Sequence, residues 1–567
     1  MESSTQSRVP RDISSYPFDV IVVGAGINGA GIARDAAMRG LKVLLLDKED
    51  ISSGTTQWST RLIHGGLRYL EHYELSLVRE SLKDREILLR IAPHLVRPLG
   101  FLVPIYEYMS HGKLMIRLGM IAYDALSLEK SLERHHIFNR EQTLEREPGL
   151  NPEGLKGAAF YYDAQSEYPE RITVENAISA HEHGAVVLTY AKVERLLVED
   201  GNVTGVEFTD VLGGERYTAH APVTVNVTGP WLDEVLDGMD RYGESEERMI
   251  GGTKGSHLIV DPFPGAPRTA LYVEARKDAR PYFIVPWNGR YLIGTTDIRY
   301  EGDLDLVVAD DEEIDYLVNE TNTVIPEANL TRDDILFTYS GVRPLPYEPE
   351  GAEGSVSRGH IIYDHSEKDP KVGGLLSIIG GKLTTYRNLA REAVDEVYRK
   401  LGEKAPRCRT DKVPLPGGAT EDFETFTTEF KATSGLAEEL AERLLKLYGV
   451  HAPDVLELAG DDPSLKAPLS QSATVETGVI GAEVLYAFRR ELAEKLGDVL
   501  LRRSMVGMGP NVGLDVDEAA AQIGVRYLGW TEERAEREIR EYRDYVQRYK
   551  PKELQEKEPQ GLDASVT

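Results

Sequence analysis

Three glycines and one acid make the first group of residues with chemical meaning. Gly24, Gly26 and Gly29 stand between an apolar strand and a helix in DVIVVGAGINGAGIARDAAMRGLKVLLLD, and Asp47 closes the strand that follows. Gly24 allows a tight turn, Gly26 admits a pyrophosphate with no Cβ in its way, and Gly29 lets the helix pack closely. The pyrophosphate then rests on the positive end of the helix, with Asp47 placed to bind a ribose hydroxyl. A bare glycine pattern would be weak. The strand before it, the helix after it and the acid at the right distance point to a dinucleotide rather than a plain turn.

A second constellation lies in STRLIHGGLRYLEHYEL, where His64, Gly65, Gly66, Arg68 and Tyr69 combine an imidazole, two Cβ-free residues, a cation and a phenol. The glycines admit a flat ring against backbone, and Arg68 can grip a phosphate through two parallel N–H donors. The same residues also read as a tight turn before a helix, with Arg68 on a solvated face. In LLSIIGGKLTTYRNLAREAVDEVYRKL a strand, a Gly-Gly turn and a long amphipathic helix follow one another. Leu383, Tyr386, Ala390, Val394, Val397 and Leu401 recur at helical spacing. A helix N-terminus carries roughly half a positive charge and, aimed at a flavin pyrimidine edge, favours the anionic reduced ring. Thr228-Gly229, ending VTVNVTGPW, suits a strand that passes beneath the first glycine turn. These two segments make the nucleotide site look like a flavin site; an ordinary strand-to-helix turn with Gly381 for geometry is the plainer reading.

These residues need elements to position them. A βαβ unit runs from about Phe18 to Asp47, followed by the loop ISSGTTQWST and a helix from about Tyr69 to Ile91. AVVLTYAKVERLLVEDGNVTGVEFTD alternates like antiparallel strands with a turn at Gly-Asn, and HLIVD, YFIVPW and YLIGTTD add strands. VPLPGGA has the composition of a linker, and the chain beyond it is mostly helical to about Tyr549.

At 567 residues the chain is long enough for about two to four domains. No apolar run approaches the roughly 18 residues of a membrane span, and MESSTQSRVPRD lacks the apolar region expected of a signal peptide. The single cysteine, Cys408, excludes a disulfide framework and a Cys-ligated cluster, and fits a reducing cytoplasm. No metal ligand set is read. A net charge of −29 argues against nucleic acid and against wholesale attraction to an anionic membrane. An anionic substrate then requires a local cationic pocket.

GAGINGAGIARDAAMRG, RLIHGGLRYLEHYELSLVRE, NVTGPW, KGSHLIV, IGTTD, YSGVRPL and GGKLTTYR, in that order, resemble the FAD-dependent glycerol-3-phosphate dehydrogenases, respiratory flavoproteins that feed electrons to quinone. The similarity spans nearly the whole chain, to EVLYAFRRELAEKLGDVLLRRS. It implies an α/β plus α+β fold: a Rossmann-type FAD-binding domain interleaved with a mostly antiparallel substrate domain, and a helical C-terminal cap. The divisions are 16–80, 150–230 and 335–402 for FAD, 81–149 and 231–334 for substrate, and 410–550 for the cap, with 1–15 and 551–567 as flexible tails.

Carried over residue by residue, the resemblance implies a cofactor set of Gly24, Gly26, Asn28, Gly29, Asp47, Ser53, Thr55, Thr56, Ser59, His64, Gly65, Gly66, Thr228, Gly229, Gly381, Lys382, Leu383 and Thr384. Arg68, Tyr69, Arg343, Lys382 and Thr385 align with the substrate pocket, and His257 falls near it. Arg61 stands where a lysine is common, and Val227 replaces an alanine; neither disturbs the match. The substrate is small, with a phosphate for its handle. Arg68, Arg343 and Lys382 could converge on that phosphate and hold C2 against flavin N5. His257 and His64 are the candidate bases, because a histidine pKa lies near working pH; either could equally hydrogen-bond flavin or carbonyl.

By the same resemblance, oxidases carry a long insertion after SGVRP, where this chain has only PEGAEGSVSRG. That favours a dehydrogenase with a membrane quinone as acceptor, peripheral on the inner face of the cell membrane. Alternatives are an oxygen-using oxidase, an amine oxidase of the same superfamily, or a flavin-binding protein without catalysis. HGKLMIRLGMIAYDALSLEKSL places Leu114, Met115, Leu118, Ile121 and Ala122 on an apolar face beside Lys113 and Arg117, as an interfacial helix would; packing on the substrate domain is the other reading. FRRELAEKLGDVLLRRS reads as a solvated cap helix. A homodimer stays open.

Overall fold

The computed structural model describes residues 8–66, 74–109, 113–127, 131–239, 248–348, 359–367, 371–470 and 478–552. Arg68 and Tyr69 lie outside the described residues, as does the stretch PEGAEGSVSRG apart from Gly359.

The strand Val20–Val23 is buried along its whole length. It runs parallel to Val43–Leu46 on one side and Val223–Asn226 on the other, with Val20 opposite Val43 and Val223. Unbroken runs of apolar residues, without alternation, are what a sheet covered on both faces requires. Six strands complete this sheet, in the order His360–Asp364, Leu375–Gly380, Val223–Asn226, Val20–Val23, Val43–Leu46 and Val186–Leu188. All pairs are parallel except the edge strand His360–Asp364. Helix Ile27–Met38 packs on one face between helices Pro169–Glu182 and Tyr386–Leu401. Its Ala30, Ala33, Ala36 and Ala37 leave room for that close approach. On the other face, Leu196, Val206 and Phe208 pack against Ile21, Leu44 and Leu46. They come from a three-stranded sheet of Ala191–Glu199, Asn202–Asp210 and Arg216–His220. A turn at Asp200-Gly201, one residue before the expected Gly-Asn, joins its first two strands, with Glu199 opposite Asn202.

The second sheet has ten strands, antiparallel except where Ala270–Glu274 meets Val96–Tyr106. Near one end of it Thr253–Val260 lies between Arg290–Gly294 and Ile335–Arg343. The chain passes repeatedly between the two sheets, so the Rossmann-type and antiparallel parts are interleaved. Helices beyond Leu401 form the C-terminal unit, whose Tyr448, Leu485 and Tyr549 share one core with Trp287 and Phe337 of the large sheet.

Three expectations are corrected by packing. Residues 8–15 are no tail: Val9 and Ile13 are buried, and Arg8 Nε donates to Asp210 Oδ1 at 2.9 Å. VPLPGGA is no loose linker. Leu415 N–H donates to Ile91 O, Gly417 N–H donates to Glu175 Oε2, and a Cβ at Gly418 would lie 2.8 Å from Ile91 O. FRRELAEKLGDVLLRRS is not one solvated helix. Helix Gly481–Arg490 ends, and the turn Val499–Arg503 buries two arginines on Asp50. Burial opposes ionisation of Asp50, but Arg503 and Arg502 outweigh it and hold its pKa below the usual carboxylate range. This cluster clamps the helical unit to the loop that follows Asp47.

Candidate active site

The strands Val20–Val23, Val43–Leu46 and Val223–Asn226 end together, and their ends open into a cavity of about 340 Å³. Crevices at the carboxyl ends of parallel strands are where such sheets take ligands. Gly24 has φ +109°, and a Cβ there would lie 2.7 Å from Val227 O, so the chain at Val227-Thr228 does pass beneath the glycine turn. Gly29 packs on the turn rather than on the sheet: its Cβ would fall inside the van der Waals envelope of Gly24 O. At Gly26 a Cβ would meet only Thr56 Oγ1, at 3.5 Å, and would otherwise project into open space. Helix Ile27–Met38 begins here without an acidic residue in its first turn, and no side chain of its Gly26 cap can satisfy it. Thr56 Oγ1 accepts from Ile27 N–H, 3.1 Å away. The cradle thus presents a helix dipole and backbone donors to an anion.

Asp47 Oδ2 accepts from Ala25 N–H at 2.6 Å, and Oδ1 from Glu49 N–H at 2.9 Å. Burial nonetheless pushes its pKa up to about 7, the two amides offsetting only part of the cost. Ribose hydroxyls donate best to the ionised form, so a dinucleotide held by Asp47 would release a proton on binding below that pH. Dinucleotide affinity is therefore expected to be flat above pH 7 and to weaken by at most about tenfold per unit below it. Asp47→Asn should bind more weakly at high pH and show no such slope. Fluorescence titration of the apoprotein at several pH values checks both.

The far wall is the Gly-Gly turn. Gly380 and Gly381 have φ of +74° and +97°, and a Cβ on Gly381 would lie 2.8 Å from Asn28 Nδ2. Asn28 Nδ2 donates to Gly380 O at 3.5 Å, while its buried Oδ1 has no hydrogen-bond partner among the described residues. Thr55 Oγ1 donates to Val342 O at 2.7 Å, tying the cofactor loop to the large sheet. Ser53, Ser59, Thr228, Gly229, Lys382 and Leu383 also line this cavity.

A second cavity of about 230 Å³ shares Thr55, Trp58, Ser59 and the Gly380–Leu383 wall, and collects His64, His257, Arg343 and Thr384. Arg343 ends the strand Ile335–Arg343. Its Nη1 pairs with Asp297 Oδ1 at 2.9 Å, and its Nη2 donates to Thr295 Oγ1 and Thr296 O, both at 3.2 Å. His257 shares a hydrogen bond between Nε2 and Thr60 Oγ1 at 2.9 Å and stacks on Tyr339. Burial, then Arg343 and Arg61, drive its pKa well below that of a free imidazole, so it is neutral. Burial lowers His64 to about 4, with Lys382 adding and Asp163 opposing. Thr384 Oγ1 bridges the His64 N–H and C=O groups.

Not every expected residue reaches these cavities. Gly65 and Gly66 line neither: Gly65 N–H donates to Tyr123 Oη at 3.0 Å, and Tyr123 and Leu82 fill the space a Cβ would need. That packing, not a flat ring, accounts for Gly65. Thr385 is buried at the start of helix Tyr386–Leu401. Sequence reasoning missed Trp58, Trp231, Lys48 and Arg548. Lys48 lies over the Trp231 ring at 4.4 Å; its only sequence signal is adjacency to Asp47.

A dinucleotide cradle that shares a wall with a pocket of cations and histidines, between a parallel and an antiparallel sheet, defines a flavin-dependent oxidoreductase. The open side of Gly26 and the orphaned Asn28 Oδ1 fit such a cofactor. Residues 19–387 match the FAD dependent oxidoreductase family, and 408–535 match the C-terminal domain of alpha-glycerophosphate oxidase. A glycerol-3-phosphate dehydrogenase of Synechocystis sp. is 47% identical over 94% of this chain and 97% of its own. The aerobic glycerol-3-phosphate dehydrogenase of Staphylococcus haemolyticus is 34% identical over 89% and 90%. The glycerol-3-phosphate dehydrogenase of Bacillus halodurans, solved with FAD, superposes with a TM-score of 0.75 at 30% identity, covering 95% of this chain and 96% of that one. The chain belongs to the FAD-dependent glycerol-3-phosphate dehydrogenase family, and its cofactor is FAD.

Proposed function

We propose that the protein oxidises sn-glycerol 3-phosphate to dihydroxyacetone phosphate and passes the electrons to a membrane quinone. One observation carries the reading: Arg343, Lys382 and His257, from distant segments, line one pocket that shares its wall with the FAD cavity. Bound FAD supplies the hydride acceptor. Arg343 and Lys382 take the substrate phosphate, offsetting the acidity of the surrounding protein, and so present C2 to the shared wall. His257 accepts the C2 hydroxyl proton as the C2 hydrogen leaves with its electron pair. An imidazole far below its usual pKa is a weak base, but the weakness comes partly from Arg343. A phosphate dianion docked on Arg343 cancels that field, so the substrate itself raises the basicity of His257. His64, which burial holds at a pKa of about 4, is assigned to hydrogen bonding rather than to proton removal.

Anaerobic titration with sn-glycerol 3-phosphate should bleach the flavin, with fast recovery on a soluble quinone and slow recovery in air. Fast recovery in air with peroxide would make the enzyme an oxidase, and no bleaching would overturn the substrate.

Delivery to a quinone implies contact with lipid, for which helix Lys113–Leu126 is the proposed surface. Met120 and Tyr123 bury one side of it, while Met115, Leu118 and Ile121 are 59%, 55% and 49% exposed. Three exposed apolar side chains at successive turns suit an interfacial helix, and Leu75 of the neighbouring helix adds a fourth. Among the described residues no helix is long and apolar enough to cross a membrane. Replacing Met115, Leu118 and Ile121 together with glutamate is expected to weaken vesicle binding by at least about tenfold, with activity toward a soluble acceptor unchanged. Co-sedimentation with neutral vesicles measures it, and undiminished binding would dismiss this helix.

A further inference from the structure

We infer that Arg548, from the end of the C-terminal helical unit, is a binding residue for an anionic group of the bound FAD. The side chain lines the cofactor cavity together with Thr55, Trp58 and Trp231, although almost 500 positions separate it from Thr55. The cavity is rich in carboxylates: Asp47, Glu49, Glu194, Glu234 and Asp305 all face it. Burial raises the pKa of Glu234, as it does that of Asp47, so the wall resists further negative charge. A dinucleotide brings a doubly charged pyrophosphate into this field. Of the other cations that line it, Lys48 is engaged by Asp305 at 2.5 Å and Lys192 by Glu194 at 3.3 Å, and Lys382 stands at the wall shared with the second cavity. Arg548 makes no ion pair among the described residues.

Its position is built rather than incidental. Arg548 Nε donates to Tyr545 O at 3.2 Å, and the guanidinium stacks 3.9 Å from the centre of the Tyr545 ring. Tyr545 Oη accepts from Gln57 Nε2 at 3.2 Å, beside Trp58 of the cofactor loop. Tyr549 packs on Trp58 and Phe337, with ring centroids 5.4 and 6.1 Å apart, and its carbonyl accepts from Thr338 Oγ1 at 3.3 Å. These contacts fix the last turn on both the cofactor loop and the large sheet. A stacked guanidinium whose Nη groups make no hydrogen bond among the described residues, held at the wall of an acidic cavity, is a preorganised anion contact. The anion is either the pyrophosphate or the reduced ring, which carries negative charge near N1.

The inference rests on the FAD cavity and not on the substrate proposed above, so its test uses no substrate. FAD is removed from the full-length Arg548→Gln and Arg548→Lys proteins and from the wild type, and each is titrated with FAD by flavin fluorescence. The midpoint potential of each reloaded protein is then measured, along with the thermal unfolding of each apoprotein. Loss of one charged hydrogen bond to the pyrophosphate predicts that glutamine weakens FAD binding by about tenfold or more, with partial rescue by lysine. If the reduced ring is the partner, glutamine leaves the affinity for oxidised FAD intact and lowers the potential. Unchanged affinity and unchanged potential in Arg548→Gln would overturn the inference. So would a loss of affinity that lysine does not rescue and that accompanies early unfolding of the apoprotein, because packing alone would then explain it.

Discussion

Arg343→Ala is expected to lower kcat/KM for sn-glycerol 3-phosphate by about a thousandfold while the enzyme keeps its FAD. The estimate follows from removing one partner of a desolvated charge contact, which costs about 4 kcal/mol. The guanidinium is aimed in advance: Asp297 holds Nη1, while Thr295 and Thr296 hold Nη2. Gly255 leaves the room, since a Cβ there would lie 2.9 Å from the guanidinium carbon. Arg343→Lys keeps the charge but loses the fork, so it should fall between the two. The substitution has a second signature. Arg343 depresses the pKa of His257, so its removal should move the acidic limb of the kcat/KM profile to higher pH. Steady-state kinetics across pH, together with the flavin content of the purified protein, test both parts. A loss below about tenfold would remove Arg343 from the phosphate site.

Gly26→Ala and Gly29→Ala should both yield protein without FAD, but for different reasons. At Gly26 the new methyl meets only Thr56 Oγ1 and otherwise projects into the open space proposed for the pyrophosphate. The apoprotein should fold normally and bind FAD at least about a hundredfold more weakly. At Gly29 the methyl collides with Gly24 O and lies 3.1 Å from Val227 Cγ1, so turn and helix must part. That overpacking should cost about 3 kcal/mol of folding stability before any ligand is considered. Thermal unfolding of the two apoproteins separates the cases, and an unaltered Gly29→Ala apoprotein would contradict the packing.

What the chain disclosed in advance was local or periodic. Gly24, Gly26, Gly29 and Asp47 belong to one βαβ unit whose spacing carries its own geometry, and the structure puts them around one cavity. Arg343, Lys382 and His257 have no local signature; they were located by resemblance, and only the fold brings them together. The misreadings share a cause. Gly65 faces Tyr123, Arg503 is buried on Asp50, and Arg548 lines one cavity with Thr55, each across tens to hundreds of residues. Nothing in the spacing of a chain records such pairings. VPLPGGA looked flexible because small residues serve loops and tight packing alike. Here Gly417 backs directly onto Gly449.

The discontinuity of the cofactor cavity bears on how the enzyme is made. Its walls begin at Val23 and are not complete until Lys382, Leu383 and Arg548 are in place. During synthesis the glycine turn therefore leaves the ribosome long before its opposite wall exists. Retention of flavin is accordingly expected only once Leu383 has folded against the glycine turn, and a chain terminated within the helical unit lacks Arg548 alone of the residues that line the cavity.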